Sequence, residues 1–302
     1  MRKMNLIPLC LVTGFLGSGK TTFLRHLVAQ HRKRKLTYIV NEFSPVDVDG
    51  ARLELPEGQM LSVAGGSIFC RCKAAEFIKV MREASRGDKC KGVIVEVSGI
   101  ADPAVIGLML EESRLNRLFA LGSIVTVVDP GTFLKLATTL PAVVEQVRAA
   151  TTILLNKSDL YPTAQLEQTE RELRSVNPVA DVLRTEHCRA RVHIFGRRLD
   201  HPLRGRYAPC ADPRFCTVAV QVPCRIDLGV LRAEIDAAAQ DLFRVKGFVN
   251  RGSSWHYWDW SNGLWTIEPS TAQGYPALVL IGRGEARGRL DLLRKRIESY
   301  GA

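Results

Sequence analysis

The chain has 302 residues, 46% hydrophobic and 24% charged, with a formal net charge of +11. That length allows one large α/β domain plus a smaller one, and the composition excludes a disordered chain. No uncharged apolar run reaches about 18 residues, so no transmembrane helix and no membrane partner are expected.

The opening, MRKMNLIPLCLV, imitates a signal peptide: a basic start, then an apolar core. That apolar run leads directly into a phosphate-binding loop, which cleavage there would destroy, so a retained segment is expected. Leu6 to Val12 reads as a strand and Lys20 to Gln30 as a helix. Between them, Gly14-Phe-Leu-Gly17-Ser18-Gly19-Lys20-Thr21 matches G-x-x-x-x-G-K-[ST] in full. The glycines let successive backbone N–H groups curl around a β-phosphate, and the helix N-terminus adds partial positive charge. Lys20 is placed to bridge the β- and γ-phosphates and the Thr21 hydroxyl to ligate Mg²⁺, with Ser18 and Thr22 completing the phosphate contacts.

Further apolar strands are expected at Leu36 to Val40, Gly92 to Val97, Ser123 to Val128, Thr151 to Leu155 and Val179 to Leu183. Helical patterns at Ala74 to Arg86, Ala104 to Glu112 and Ala164 to Ser175 separate them. Near-continuous Val/Ile/Leu strands alternating with helices imply a doubly wound, mainly parallel sheet. Its ligands belong beyond the carboxyl ends of the strands. At one such end, Val93-Ile94-Val95 runs into Glu96, then Val97-Ser98-Gly99. Glu96 is suited to hold Mg²⁺ through water or to orient an attacking water, and Gly99 to offer its N–H to a γ-phosphate. The alternative for Glu96 is a solvated strand-end carboxylate. At another strand end stands Asn156-Lys157-Ser158-Asp159. A carboxylate at Asp159 accepts from both the ring N–H and the exocyclic amine of guanine, and adenine would leave it unpaired. GTP is therefore the expected nucleotide.

Beyond residue 183 the regular pattern fails. The segment from Arg184 to Arg206 holds seven arginines, and with His31-Arg32-Lys33-Arg34-Lys35 it carries much of the positive charge. Neither cluster is interleaved with aromatics, so nucleic acid is not the expected partner. The Arg-rich stretch, with His201-Pro202 and Pro209, reads as a linker. A second unit follows: a strand at Phe215 to Val222, a helix at Leu228 to Phe243, and short strands from Val245 to Ile267. Ala277 to Ile281 and a basic terminal helix from Glu285 close it. All four tryptophans fall between Trp255 and Trp265, a cluster more often used for sheet packing than for an exposed site. The domains are expected at 1–200 and 214–302, with 201–213 as linker.

Together these pieces resemble the CobW-type GTPases, relatives of the urease- and hydrogenase-maturation GTPases. The resemblance is carried by G-F-L-G-S-G-K-T-T, Asn41-Glu42-Phe43, Glu96-x-Ser98-Gly99-x-Ala101-Asp102-Pro103, Val128-Asp129 and Asn156-Lys157-x-Asp159. Asn177-Pro178-x-Ala180 resembles the start of the family's strand before the base-binding loop. Lys246-Gly247-Phe248 and Leu280-Ile281-Gly282 extend the match more loosely. The resemblance implies a P-loop GTPase domain with a smaller C-terminal α+β domain, hydrolysing GTP slowly without a partner. It implies a cytoplasmic accessory protein or metallochaperone for a client metalloenzyme or corrinoid-dependent protein, and admits a homodimer. Asn41 to Asp49 would be the first switch segment, with Asp49 at the Mg²⁺-proximal position, and Glu96 to Asp102 the second.

One stretch departs from the family. Its metal motif reads G-C-x-C-C, whereas here Gly66-Ser67-Ile68-Phe69-Cys70 stands in its place, and Val97 stands where Thr is usual. Cys70 keeps the family position and Cys72 is additional. With Glu42 as a third ligand, the pair would hold a transition metal (Zn, Co or Ni), or a soft low-coordinate ion. The alternative is two small apolar residues at a helix start. The eight cysteines show no compact framework, so reduced thiols are expected. A GTP-gated regulatory module that docks a partner and delivers no metal is the competing function. A Cys-x-Cys thiol–disulfide oxidoreductase is the third.

Overall fold

The computed structural model describes residues 6–42, 59–64, 68–86, 90–196, 203, 205–207, 213–251, 254–270 and 276–300. They fall into two compact units, one running through residue 207 and the other starting at 213.

The first unit is built on seven strands: β1 (Ile7–Thr13), β2 (Leu36–Glu42), β3 (Met60–Ala64), β4 (Gly92–Glu96), β5 (Phe119–Val128), β6 (Thr152–Leu155) and β7 (Asp181–Arg184). Their order across the sheet is β3-β2-β4-β1-β5-β6-β7, and every pairing is parallel. Leu9, Cys10, Leu11 and Val12 are fully buried, as are Val93, Ile94 and Val95. Helices cover both faces, so these strands need no polar alternation. Around the sheet lie α1 (Lys20–Gln30), α2 (Arg71–Ser85), α3 (Val105–Glu112), α4 (Pro130–Leu136), α5 (Pro141–Arg148) and α6 (Thr163–Val176). The expected strands and helices are present with shifted ends. β3, α4 and α5 were not expected from the sequence.

The Arg-rich stretch is not a loose tether throughout. Gln30 Nε2 donates to the Ala190 carbonyl at 3.1 Å, the His26 ring nitrogen pairs with the His187 carbonyl at 2.9 Å, and Ser123 Oγ donates to the His193 carbonyl at 3.0 Å. Near its described end, the Phe195 ring fills space left by Gly92 at the start of β4, and the Phe195 backbone lies beside Gly122 within β5. A Cβ on Gly92 would stand 2.4 Å from that ring, and one on Gly122 would stand 3.2 Å from the Phe195 backbone. Leu203 and Tyr207, inside the stretch read as linker, pack against the first unit's core, and Tyr207 Oη donates to Glu112 Oε2 at 2.6 Å.

The second unit is a five-stranded antiparallel sheet, ordered β11-β10-β9-β12-β8. Its strands are β8 (Phe215–Gln221), β9 (Leu242–Arg251), β10 (Ser254–Ser261), β11 (Leu264–Ser270) and β12 (Ala277–Arg283). Helices α7 (Leu228–Ala237) and α8 (Arg287–Ser299) set Leu231, Ile235, Leu290, Leu293 and Ile297 against Val218, Val245, Leu278 and Leu280. The helix expected at Leu228 to Phe243 stops at Ala237. A 3-10 turn at Ala239–Asp241 then hands the chain to β9. From Leu242 the chain pairs with β12, and from Val245 with β10, so the sheet claims Phe243. The tryptophans serve packing: Trp258 and Trp260 are each 1% exposed, and Trp260 and Trp265 both donate their indole N–H to Asp236 Oδ1 at 3.0 Å.

Candidate functional site

The site forms where β1 ends and α1 begins. Gly14, Gly17 and Gly19 have φ of +136°, +74° and +116°, a region where side chains are strained. At Gly14 space forbids one as well, since a Cβ would lie 2.2 Å from the Val127 carbonyl oxygen. These glycines turn the loop back over the strand. The first turn of α1 has no side-chain cap and no acidic residue, which suits it to an anion. Lys20 Nζ donates to the Gly14 carbonyl at 2.9 Å and the Phe15 carbonyl at 3.4 Å, which lays its charge across the loop. Ser18 Oγ is buried, with no hydrogen-bond partner among the described residues. This cradle fits a nucleotide phosphate chain. Thr21, 5% exposed, stands in the first turn, followed by the half-buried Thr22.

The neighbouring strand tip supplies acid. Parallel register sets Val12 of β1 beside Glu96 of β4, which brings Glu96 level with the start of the phosphate loop. Glu96 is 3% exposed, so the solvated strand-end reading does not hold. A buried carboxylate beside a phosphate cradle fits Mg²⁺, with Thr21 and Glu96 as the residues to hold it; bound there, the ion would neutralise charge on the β- and γ-oxygens. Asp49 lies outside the described residues. Gly99 presses on the phosphate loop, where its Cβ would stand 2.9 Å from the Leu16 nitrogen. Its carbonyl and that of Ala101 accept from Gln146 Nε2 of α5 at 3.0 and 3.2 Å. Gln146 went unnoticed in the sequence, and no local motif marks it. Asp102 Oδ1 accepts the Ala104 N–H at 2.8 Å, and burial raises its carboxyl above the usual carboxylate range.

The base loop is held from three directions. Asn156 Nδ2 donates to the Ser18 carbonyl at 2.8 Å, joining the phosphate loop to the loop after β6. Its Oδ1 accepts the Cys188 N–H at 2.7 Å and the Thr185 hydroxyl at 3.3 Å, which draws in the loop after β7. Lys157 sits at φ +60°, and its Nζ pairs with Asp129 Oδ2 at 2.6 Å. Asp129 also caps α4 by accepting the Thr132 N–H at 3.2 Å, and it accepts the Tyr161 hydroxyl at 2.8 Å. Asp159 follows in a 3-10 turn (Ser158–Leu160) and is exposed, open to a base from solvent. Cys188 was not singled out from sequence. It is fully buried, its Sγ donates to the Gly19 carbonyl at 3.3 Å, and burial pushes its thiol up to about 12.

The cysteine stretch is arranged differently from the expectation. Phe69, at a family thiol position, is fully buried and meets Phe77 of α2 edge to face at 6.2 Å. Cys70 and Cys72 were expected as reduced thiols; instead they are joined in a disulfide across the start of α2, their Cα atoms 5.4 Å apart. One residue apart at a helix entry, the two sulfurs reach each other without moving the backbone. In this state neither is a thiolate, so the metal role read for Cys70, Cys72 and Glu42 requires reduction first. The Glu42 side chain lies outside the described residues. Among those residues no three His, Cys, Asp or Glu side chains gather into a metal site. Asn41, at the end of β2, reaches this stretch: its Oδ1 accepts the Ile68 N–H at 3.1 Å, and its Nδ2 donates to the Val63 carbonyl at 3.3 Å.

A parallel sheet with a glycine-rich phosphate loop, a buried acid at the next strand tip and a guanine-type Asn-Lys-x-Asp loop defines a P-loop GTPase. Residues 8–184 match the model of the CobW/HypB/UreG nucleotide-binding domain, and the chain belongs to that family. It hydrolyses GTP with Mg²⁺. A zinc chaperone CobW from Pseudomonas aeruginosa is 28% identical over 296 residues, covering 82% of this chain and 78% of the relative. The zinc chaperone YjiA of Escherichia coli is 29% identical over 189 residues, 61% of this chain and 59% of that protein. The crystal structure of Zn(II)-bound YjiA GTPase from E. coli superposes with a TM-score of 0.51 at 22% identity. That superposition covers 96% of this chain and all of that one, a likeness of fold. Among the described residues no helix is long and apolar enough to cross a membrane.

Proposed function

We propose that this chain is a GTP-gated metal accessory protein, in which nucleotide state is passed to the cysteine-bearing stretch before α2. The observation that carries this reading is the Asn41 clamp. Asn41 begins the proposed first switch segment, and its side chain holds both the end of β3 and the Ile68 N–H two residues before Cys70. GTP and Mg²⁺ would order residues 41–49 and 96–102, and hydrolysis would release them. Zinc is the named cargo of relatives, and it is the first ion to test here. The client would be a metalloenzyme or a corrinoid-dependent protein in the cytoplasm, and a homodimer is compatible with the role.

The test is Zn²⁺ titration of the reduced protein, loaded with GDP or with a non-hydrolysable GTP analogue. The two states should differ in affinity by about tenfold, within the usual range of coupling between sites. Asn41→Ala should bring them together. Equal affinities in the parent would overturn the reading. Lys20→Ala should lower GTP turnover by about 100-fold or more, since it removes a preorganised charge from the phosphates. Phe69 favours the second reading, a GTP-gated docking module that carries no metal, because a buried phenyl ring replaces a thiol ligand. Absence of Zn²⁺, Co²⁺ and Ni²⁺ binding in the reduced parent, in either nucleotide state, would select it.

A further inference from the structure

We propose that Cys70 and Cys72 form a reversible thiol–disulfide exchange site, at which a small thiol of the glutathione class attacks Cys72 and expels Cys70 as a thiolate. Three observations carry this: the disulfide itself, the unequal exposure of its two residues, and their place on α2. Cys72 is an exposed residue and Cys70 is 3% exposed, which favours approach of an incoming thiolate at Cys72. Cys70 is the N-cap of a 15-residue helix. Its backbone is extended, its carbonyl accepts the Lys73 and Ala74 N–H groups at 3.1 Å, and its side chain makes no cap hydrogen bond. An N-cap side chain points toward the N–H groups of the second and third helical residues. A sulfur released there as an anion faces the positive end of the helix dipole, which favours Cys70 as the leaving group. The first turn of α2 holds no acidic residue to oppose that charge.

The exchange balances in two steps. A small thiolate attacks Cys72 Sγ; the Cys70–Cys72 bond breaks, a mixed disulfide forms on Cys72, and Cys70 leaves with the electron pair. A second small thiolate attacks the sulfur of the bound one; the small disulfide departs, and Cys72 is released as a thiolate. Two small thiols have supplied two electrons, and each protein thiolate takes its proton from water or stays charged. The oxidising direction is the reverse, with the small disulfide as oxidant. Neither direction requires nucleotide or metal, so the site stands apart from the metal reading. Its consequence for that reading is direct, since oxidation withdraws both sulfurs from any soft cation at once. The same stretch is bonded to Asn41, so the redox state of the pair is joined to the end of β2.

The test uses the full chain carrying Cys224→Ser and Cys210→Ser, since Cys224 is an exposed competing thiol. Reduced protein is treated with oxidised glutathione at neutral pH and read by intact mass and peptide mapping. That background protein should lose two hydrogens and keep no glutathione. Adding Cys70→Ser, which retains a good N-cap, should trap one glutathione on Cys72, because the resolving thiol is gone. Adding Cys72→Ser should capture glutathione about tenfold more slowly, because only the buried sulfur remains. GTP binding by each variant checks that it is folded. Equal capture by the Cys70→Ser and Cys72→Ser proteins would overturn the assignment. So would a background protein that ends as two free thiols or as a lasting mixed disulfide.

Discussion

We propose that nucleotide choice turns on Asp159, whose exposure suits a base that arrives from solvent. A carboxylate there accepts twice, which matches guanine. An amide accepts once and donates once, which matches xanthine, where a carbonyl replaces the amine. Asp159→Asn should therefore weaken GTP by about tenfold or more and strengthen xanthosine triphosphate, as competition for a fluorescent nucleotide would measure. Cys188 makes a different kind of prediction. Burial raises its thiol from 9.0 to about 12, so between those values the unfolded chain has lost a proton that the folded chain keeps. Its contribution to stability is complete below about 9 and declines as pH rises toward 12. The urea midpoint of the parent should fall across that window, and Cys188→Ala should flatten part of the slope. An unchanged slope would mean that the thiol is not held protonated.

At the scale of elements, Asp129 ties the end of β5 to α4, to Tyr161 and to Lys157 in the base loop. Asp129→Ala removes a helix cap and strands a lysine, and should cost about 2–4 kcal/mol in urea unfolding. Asp129→Asn keeps an acceptor for the cap and loses the charge. It should retain most of that stability while GTP affinity falls several-fold; unchanged affinity would show that the ion pair does not position the base loop. The elements that carry chemistry were legible because each motif sat at the end of an apolar strand. Glu96 and Asn156 are placed by the runs before them, Val93-Ile94-Val95 and Ile153-Leu154-Leu155. The elements that escaped lacked such a signal. β3 has five residues at the sheet edge, with Ser62 exposed in its middle. α4 has seven and α5 eight, each opening on a proline, and for α4 the Asp129-Pro130 start was a cap-and-N1 signal. The side chains that join loops, Asn41, Gln146 and Cys188, were illegible as such. Their partners lie 27, 47 and 169 residues away in the chain, and only the fold brings them together.

Across the whole molecule, the described nucleotide loops belong to one unit, whereas all four tryptophans belong to the other. Intrinsic fluorescence in urea should therefore report the second unit, and the release of a bound fluorescent nucleotide the first. A saturating GTP analogue with Mg²⁺ should raise the first midpoint by mass action, with about 3 kcal/mol available at a hundredfold excess over Kd. The tryptophan midpoint should move less; an equal shift would show that the two units melt together. Phe195 makes a different point about the molecule as a whole. Its ring occupies the space that Gly92 leaves at the start of β4, and its backbone the space beside Gly122 within β5. In descent these three positions form one linked trait. A lineage that gains a side chain at 92 must first shrink 195, and a lineage that loses the ring opens a void that bulk at 92 can refill. Among relatives that share this crossing, size at 92 and size at 195 should vary in opposite senses, although more than a hundred residues of chain separate them.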